Sequence, residues 1–211
     1  MEGENAGMVL GRHTPVLQQY APHILHSIPR VTARRHLGIG TTLPFYGADT
    51  WHAYEMSWLD GDGKPLVRVG RFTVPASSPY IVESKSFKLY LNSLNSTRFA
   101  TLDEAQATIV EDISSAAGER VCLELLCVGD VSLAGTALAG ECLDALPVES
   151  WAGQPHAEQL QVQHGQMVEE VLYSHLLRSL CPVTGQPDWA TVWLHYRGAA
   201  VEHSSLLQYI I

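Results

Sequence analysis

Glu83-Ser84-Lys85-Ser86-Phe87-Lys88-Leu89-Tyr90-Leu91-Asn92 is the stretch on which the reading of the fold turns. Phe87, Leu89 and Leu91 alternate as on a strand, while Phe87, Tyr90, Leu91 and Leu94 recur as on one face of a helix. The helix is preferred over residues 83–94, because Ser84 and Ser86 can serve as N-caps. A carboxylate, hydroxyls and two cations then stand at a helix start, where free backbone N–H groups favour anions such as phosphate. A capped helix with a solvated lysine face explains the same residues equally well.

Upstream, Trp51, Tyr54 and Trp58 lead into the turn Asp60-Gly61-Asp62-Gly63, and Leu66, Val69, Phe72 and Val74 follow, which predicts a two-stranded hairpin. The alternation slips by one residue near Gly70, the mark of a bulge. The first forty residues carry Pro15, Pro22 and Pro29 without an apolar period and read as an extended arm with short turns. Downstream, Thr101-Leu102-Asp103-Glu104 has the capping-box form, and Leu102, Ala105, Ile109 and Ile113 line one face of a helix. Residues 121–128 read as an apolar strand, 129–147 as a weaker one, and a domain boundary falls near Pro147. Beyond it, residues 159–163 read as a strand and 166–179 as a helix with Met167, Val171, Leu172 and Leu176 inward. Residues 191–196 read as a strand, followed by a turn at Gly198 and an apolar segment. Gly47-Ala48-Asp49 before Trp51 faintly echoes Gly185-Gln186-Pro187-Asp188 before Trp189, which points to two related modules.

The 211 residues are 46% hydrophobic with mean hydropathy near zero, enough for one large or two small cores. The formal charge is −9 and no basic run exceeds Arg34-Arg35, so direct nucleic-acid binding is not expected. No apolar run reaches membrane-spanning length and the N-terminus is acidic, so a cytosolic protein is expected. Cys122, Cys127, Cys142 and Cys181 form no CxxC pair and no zinc spacing; the first three read as small core hydrophobes.

Cys181 differs, because Cys181-Pro182-Val183-Thr184-Gly185-Gln186-Pro187-Asp188 joins a thiol, a Gly/Pro turn and a carboxylate. A thiolate attacks an electrophile, and a nearby acid protonates the atom that gains charge. A turn cysteine beside a turn-forming aspartate is the plain alternative.

Taken together, residues 83–92 and 184–189, with Asn95, Thr97, Arg98, Phe99 and Leu43-Pro44-Phe45-x-Gly47-x-Asp49, resemble the nitrile oxidoreductase family of queuosine biosynthesis. That family reduces 7-cyano-7-deazaguanine to its 7-aminomethyl product with NADPH. The resemblance covers nearly the whole chain in the order of the two-module subtype. It implies an α+β fold of tandem tunnelling-fold (T-fold) ββαα modules with antiparallel sheets: residues 1–147 would form the first, residues 148–211 the second. It implies Cys181 as the nucleophile that forms a thioimide and Asp188 as the proton donor. It implies Val82, Glu83 and Ser84 at the deazaguanine, Ser84 and Lys85 at NADPH, no metal, and assembly as a homodimer or higher homo-oligomer. The family continues past a Tyr-Ile-Ile-like run with a stretch ending in a His-Glu pair and then a basic stretch, which lie beyond Ile211 here, so the second module is expected to be incomplete.

Two other readings compete. Cys181 with His195 as base would make a cysteine hydrolase, although His195 reads as a satisfied strand histidine. A module that holds deazaguanine, or assembles, without turning it over is the other. The related zinc-dependent GTP cyclohydrolases differ, because Cys181 lacks neighbours at ligand spacing.

Overall fold

The computed structural model describes residues 19–148, 156–181 and 185–211, and the chain divides into two compact units between Leu133 and Ala134. Both are α+β, built on mainly antiparallel sheets with helices α1 to α4.

In the first unit a 3-10 turn, Pro22–Ile24, leads into β1 (Ser27–Pro29) and α1 (Arg30–His36). The arm expected over the first forty residues is therefore partly regular. Its side chains hold it down: Arg30 pairs with Asp49 and donates to Ser78 Oγ (3.1 Å), and Tyr20 donates to Asp112. The hairpin follows as β2 (Ala48–Leu59) and β3 (Pro65–Pro75), then β4 (Tyr80–Val82), α2 (Ser84–Ser93), α3 (Leu102–Ala117) and β5 (Cys122–Leu126). One sheet has the order β2-β3-β5 and β1 pairs with β4, all antiparallel.

The hairpin forms because Asp60 Oδ1 accepts the N–H groups of Asp62 (3.0 Å) and Lys64 (2.9 Å), the local hydrogen bonding that makes Asp a turn residue. The slip read at Gly70 is real, but the extra residue sits on the partner strand. Ala53 pairs with Gly70 and Met56 with Arg68, so Tyr54 and Glu55 together face Val69. A side chain at Gly70 would meet Met56 Sδ at 2.2 Å, which explains the glycine. Met56, Trp58 and Phe72 from the hairpin, Phe87, Tyr90 and Leu91 from α2, and Ile109 and Ile113 from α3 form one buried core. Each such side chain contributes about 1.5–3 kcal/mol on burial. Thr101 caps α3 through Glu104 N (3.1 Å), and Gly118 ends it at φ +73°.

The second unit contains β6 (Glu141–Cys142), β7 (Val162–Leu180), β8 (Pro187–Val201) and α4 (His203–Ile210). The two-residue β6 runs parallel to β7, and β7 and β8 form a long antiparallel hairpin. Leu206, Leu207 and Ile210 of α4 pack with Leu143 and Leu172.

Several expectations are corrected here. Residues 166–179 are strand, not helix, and the reason is visible in the register. From Met167 to Ser174 the ladder with β8 is unbroken and Leu172 and Ser174 are its buried positions, so Met167 and Val171 lie on the opposite face from Leu172, and apolar residues on both faces of the strand reproduce helix-like spacings. Strand β7 starts at Val162, after a 3-10 turn at Ala157–Gln159, rather than at residue 159. Gly198 lies inside β8 and not in a turn, since it pairs with Val168. Cys122, Cys127 and Cys142 are exposed, not core; on β5 it is the neighbouring Leu123 that points inward. Among the described residues no helix is long and apolar enough to cross a membrane.

Candidate functional site

The expected site residues fall into two groups, one in each unit. In the first, β4 delivers the buried Val82 to the start of α2, and the N-cap is Glu83 rather than Ser84 or Ser86. Its carboxylate accepts Lys85 N on Oε1 (2.8 Å) and Ser86 N on Oε2 (2.7 Å). Those two backbone bonds hold the Glu83 carboxyl below the usual carboxylate range, against the opposing effect of desolvation.

Ser86 completes a clamp. Its hydroxyl donates to Glu83 O (2.8 Å) and accepts from His26 N (3.1 Å), while Glu83 N donates to His26 O (2.8 Å). The clamp thus ties β1 to the helix start and fixes Glu83 from both sides. A carboxylate offers about four lone-pair sites, and two are used, so Glu83 keeps acceptor capacity on both oxygens. Ser84 and Lys85 on the first turn are exposed. A concavity of about 430 Å³ opens beside them, lined in part by Trp51, Ser84, Phe87 and Lys88.

In the second unit the β7–β8 hairpin closes through Cys181 N to Gln186 O (2.9 Å) and Gly185 N to Cys181 O (2.8 Å). Pro182, Val183 and Thr184 lie outside the described residues. Ser179 pairs with Asp188 in the ladder. The two-residue alternation of a strand then sets 179, 181, 186 and 188 on one face, with Cys181 and Asp188 as diagonal neighbours. Diagonal neighbours are separated by about 7–8 Å, which leaves room for a short linear group between thiol and acid. Cys181 is half-buried and Asp188 exposed.

His195 is set apart from this pair. It lies nine residues along β8 from Gln186, about 30 Å at the rise of an extended strand, and its Nε2 is 3.2 Å from Glu169 Oε1. It is a paired strand histidine, and a Cys181–His195 dyad does not form within the hairpin.

One feature escaped the sequence reading. Glu202 caps α4 as Glu83 caps α2, accepting Ser204 N (3.1 Å) and Ser205 N (2.6 Å). Ser205 Oγ donates to Glu202 O (2.7 Å) and accepts Gln161 N (3.0 Å), and Glu202 N donates to Gln161 O (2.9 Å). The signal was present as Val82-Glu83, Ser86 and Tyr90 against Val201-Glu202, Ser205 and Tyr209, at identical spacing. The clamp is therefore a shared folding device. What differs is its dressing: His203-Ser204 stand where Ser84-Lys85 stand.

Comparison with known proteins agrees. The family described as "Nitrile reductase, 7-cyano-7-deazaguanine-reductase N-term" matches residues 17–125. The "NADPH-dependent 7-cyano-7-deazaguanine reductase" of Chromohalobacter salexigens is 48% identical over 203 residues, covering 96% of this chain and 73% of that protein. With both the matched segment and this relative in hand, the chain belongs to the 7-cyano-7-deazaguanine nitrile reductase family.

Proposed function

We propose that this chain reduces the nitrile of 7-cyano-7-deazaguanine to the 7-aminomethyl group with NADPH, on the way to queuosine in tRNA. The observation that carries the chemistry is the placement of Cys181 and Asp188 on one face of the hairpin ladder.

A nitrile has two ends, an electrophilic carbon and a basic nitrogen. Cys181 Sγ adds to the carbon as a thiolate, forming a C–S bond, while one π pair moves to nitrogen and takes the proton of Asp188. The product of that step is a thioimide on Cys181. Glu83, held ionised and fixed by its clamp, accepts the N–H donors of the deazaguanine edge on its remaining lone pairs, with Val82 and Ser84 beside it. Ser84 and Lys85 fit the cofactor: an exposed hydroxyl and ammonium on the first turn of α2 favour its phosphates. Bound NADPH supplies hydride, two equivalents for each nitrile taken to an amine.

The chain reads as two tandem T-fold modules, 1–147 and 148–211, a reading supported by the repeated Glu/Ser clamp. Copies of the chain assemble as a homodimer or larger, which the open edge strand β2 supports. A cytosolic location fits four cysteines outside any disulfide.

Mixing the chain with the nitrile tests the mechanism. Mass spectrometry should show an adduct with the mass of the intact nitrile, lost in Cys181→Ala, and NADPH should be consumed at two per nitrile. Hydrolysis of esters or amides without NADPH, and no adduct, would overturn it.

A further inference from the structure

We propose that the concavity between β2 and α2 is a subsite for the adenine-nucleotide end of a dinucleotide, with Tyr54 as the ring on which the base stacks. This rests on the reading that Ser84 and Lys85 hold NADPH.

The concavity, about 430 Å³, has two walls. Ser84, Lys88 and Asn92 stand on α2 at i, i+4 and i+8, one line along a helix. His52, Tyr54 and Glu55 face them from β2. The bulge that sets Tyr54 and Glu55 together against Val69 is what turns this stretch of the edge strand out of the regular ladder. Tyr54 is 63% exposed, and its hydroxyl makes no hydrogen bond among the described residues. Its ring lies near-parallel to His52, centroids 6.0 Å apart at 21°. His52 is steadied by Arg71 Nε on its Nε2 (3.1 Å).

A large exposed ring held in a fixed stack is a platform for another flat ring. The polar groups orient what would lie there. The Lys88 ammonium, without an ion pair among the described residues, attracts a phosphate, and the Glu55 carboxylate repels one while accepting ribose hydroxyls or an exocyclic amine. Phosphate is thus drawn toward α2 and the base toward Tyr54, continuing outward from Ser84.

Adenosine 2′,5′-bisphosphate, a nucleotide without the nicotinamide, is the probe, with binding to the full chain followed by calorimetry and by quenching of Trp51. Tyr54→Ala should weaken its binding by about tenfold or more, and Tyr54→Phe, which keeps the ring, should bind within about twofold of the parent. NADPH should displace it. Unchanged binding in Tyr54→Ala, or probe that NADPH does not displace, would overturn the subsite. If the parent reduces the nitrile and Tyr54→Ala keeps its KM for NADPH, the subsite falls while the function stands. If the parent binds no NADPH, the cofactor reading falls and takes the subsite with it.

Discussion

Ser86 is 8% exposed, and Ser86→Ala removes a hydroxyl that bridges two backbone groups, donating to Glu83 O and accepting from His26 N. Glu83 O keeps a partner, because Phe87 N also donates to it (2.9 Å). His26 N does not, and because His26 is exposed and the bond only part-buried, the donor left unsatisfied costs about 1 kcal/mol, the low end of the range for such groups. The expected loss is therefore about 1 kcal/mol, or roughly 2–4 °C in Tm for a chain of this size. Ser205→Ala removes the matching bridge from Gln161 N to Glu202 O, with a side chain just as buried, so its loss should be similar. Thermal unfolding by circular dichroism reads both. Kinetics then separate them: in Ser86→Ala the loosened clamp lets Glu83 drift, and KM for the nitrile should rise by about tenfold for each 1.4 kcal/mol of lost binding. Ser205→Ala should leave KM within about twofold. If both variants melt within about 1 °C of the parent, the bridges contribute nothing and the argument from unsatisfied donors is wrong. If both raise KM alike, the second clamp is part of the substrate site after all.

Asp188→Asn keeps the shape of the acid but cannot give up a proton, so turnover should fall by about 10²- to 10⁴-fold with the Cys181 adduct still detectable by mass spectrometry. Gly70→Ala would press a methyl to within 2.2 Å of Met56 Sδ and 2.9 Å of Phe72, and urea denaturation should show a loss of about 1–3 kcal/mol. Tyr90 and Tyr20 are held above the ordinary tyrosine range, first by burial and then by hydrogen bonds to Asp112. Unfolded tyrosine ionises near 10, so this stability is complete below about pH 10 and is lost as pH climbs above it. Alkaline unfolding followed by circular dichroism should begin there, and Tyr90→Phe should flatten it; an unchanged alkaline limb would refute the coupling.

The first unit was largely legible because its signals are local. Asp60-Gly61-Asp62-Gly63 dictates the hairpin, Thr101 and Glu104 mark the start of α3, and the apolar faces of α2 and α3 repeat without interruption. One exception was the α2 cap, where serine preference pointed to Ser84 and Ser86 although the longer Glu83 reaches two backbone N–H groups at once. The second unit was misread because its long strand carries apolar residues on both faces, Met167 and Val171 on one and Leu172 on the other, so that together with Leu176 they mimic a helix face. Nothing local in a sequence distinguishes that pattern from a true helix until the partner strand is known. Of the candidate site, Cys181 and Asp188 stood out as a short-range cluster, whereas the link from His26 to Ser86 spans sixty residues and has no local signature.

The duplicated clamp has a practical consequence for altering the enzyme. Since α4 keeps the same Glu/Ser frame with His203-Ser204 where α2 has Ser84-Lys85, and the frame draws on backbone N–H groups there, it needs no particular side chain at those two positions, proline at 85 excepted. A saturation library confined to residues 84 and 85 should therefore yield mostly folded members, and selection for growth on a different reductant would sample cofactor choice almost separately from foldability.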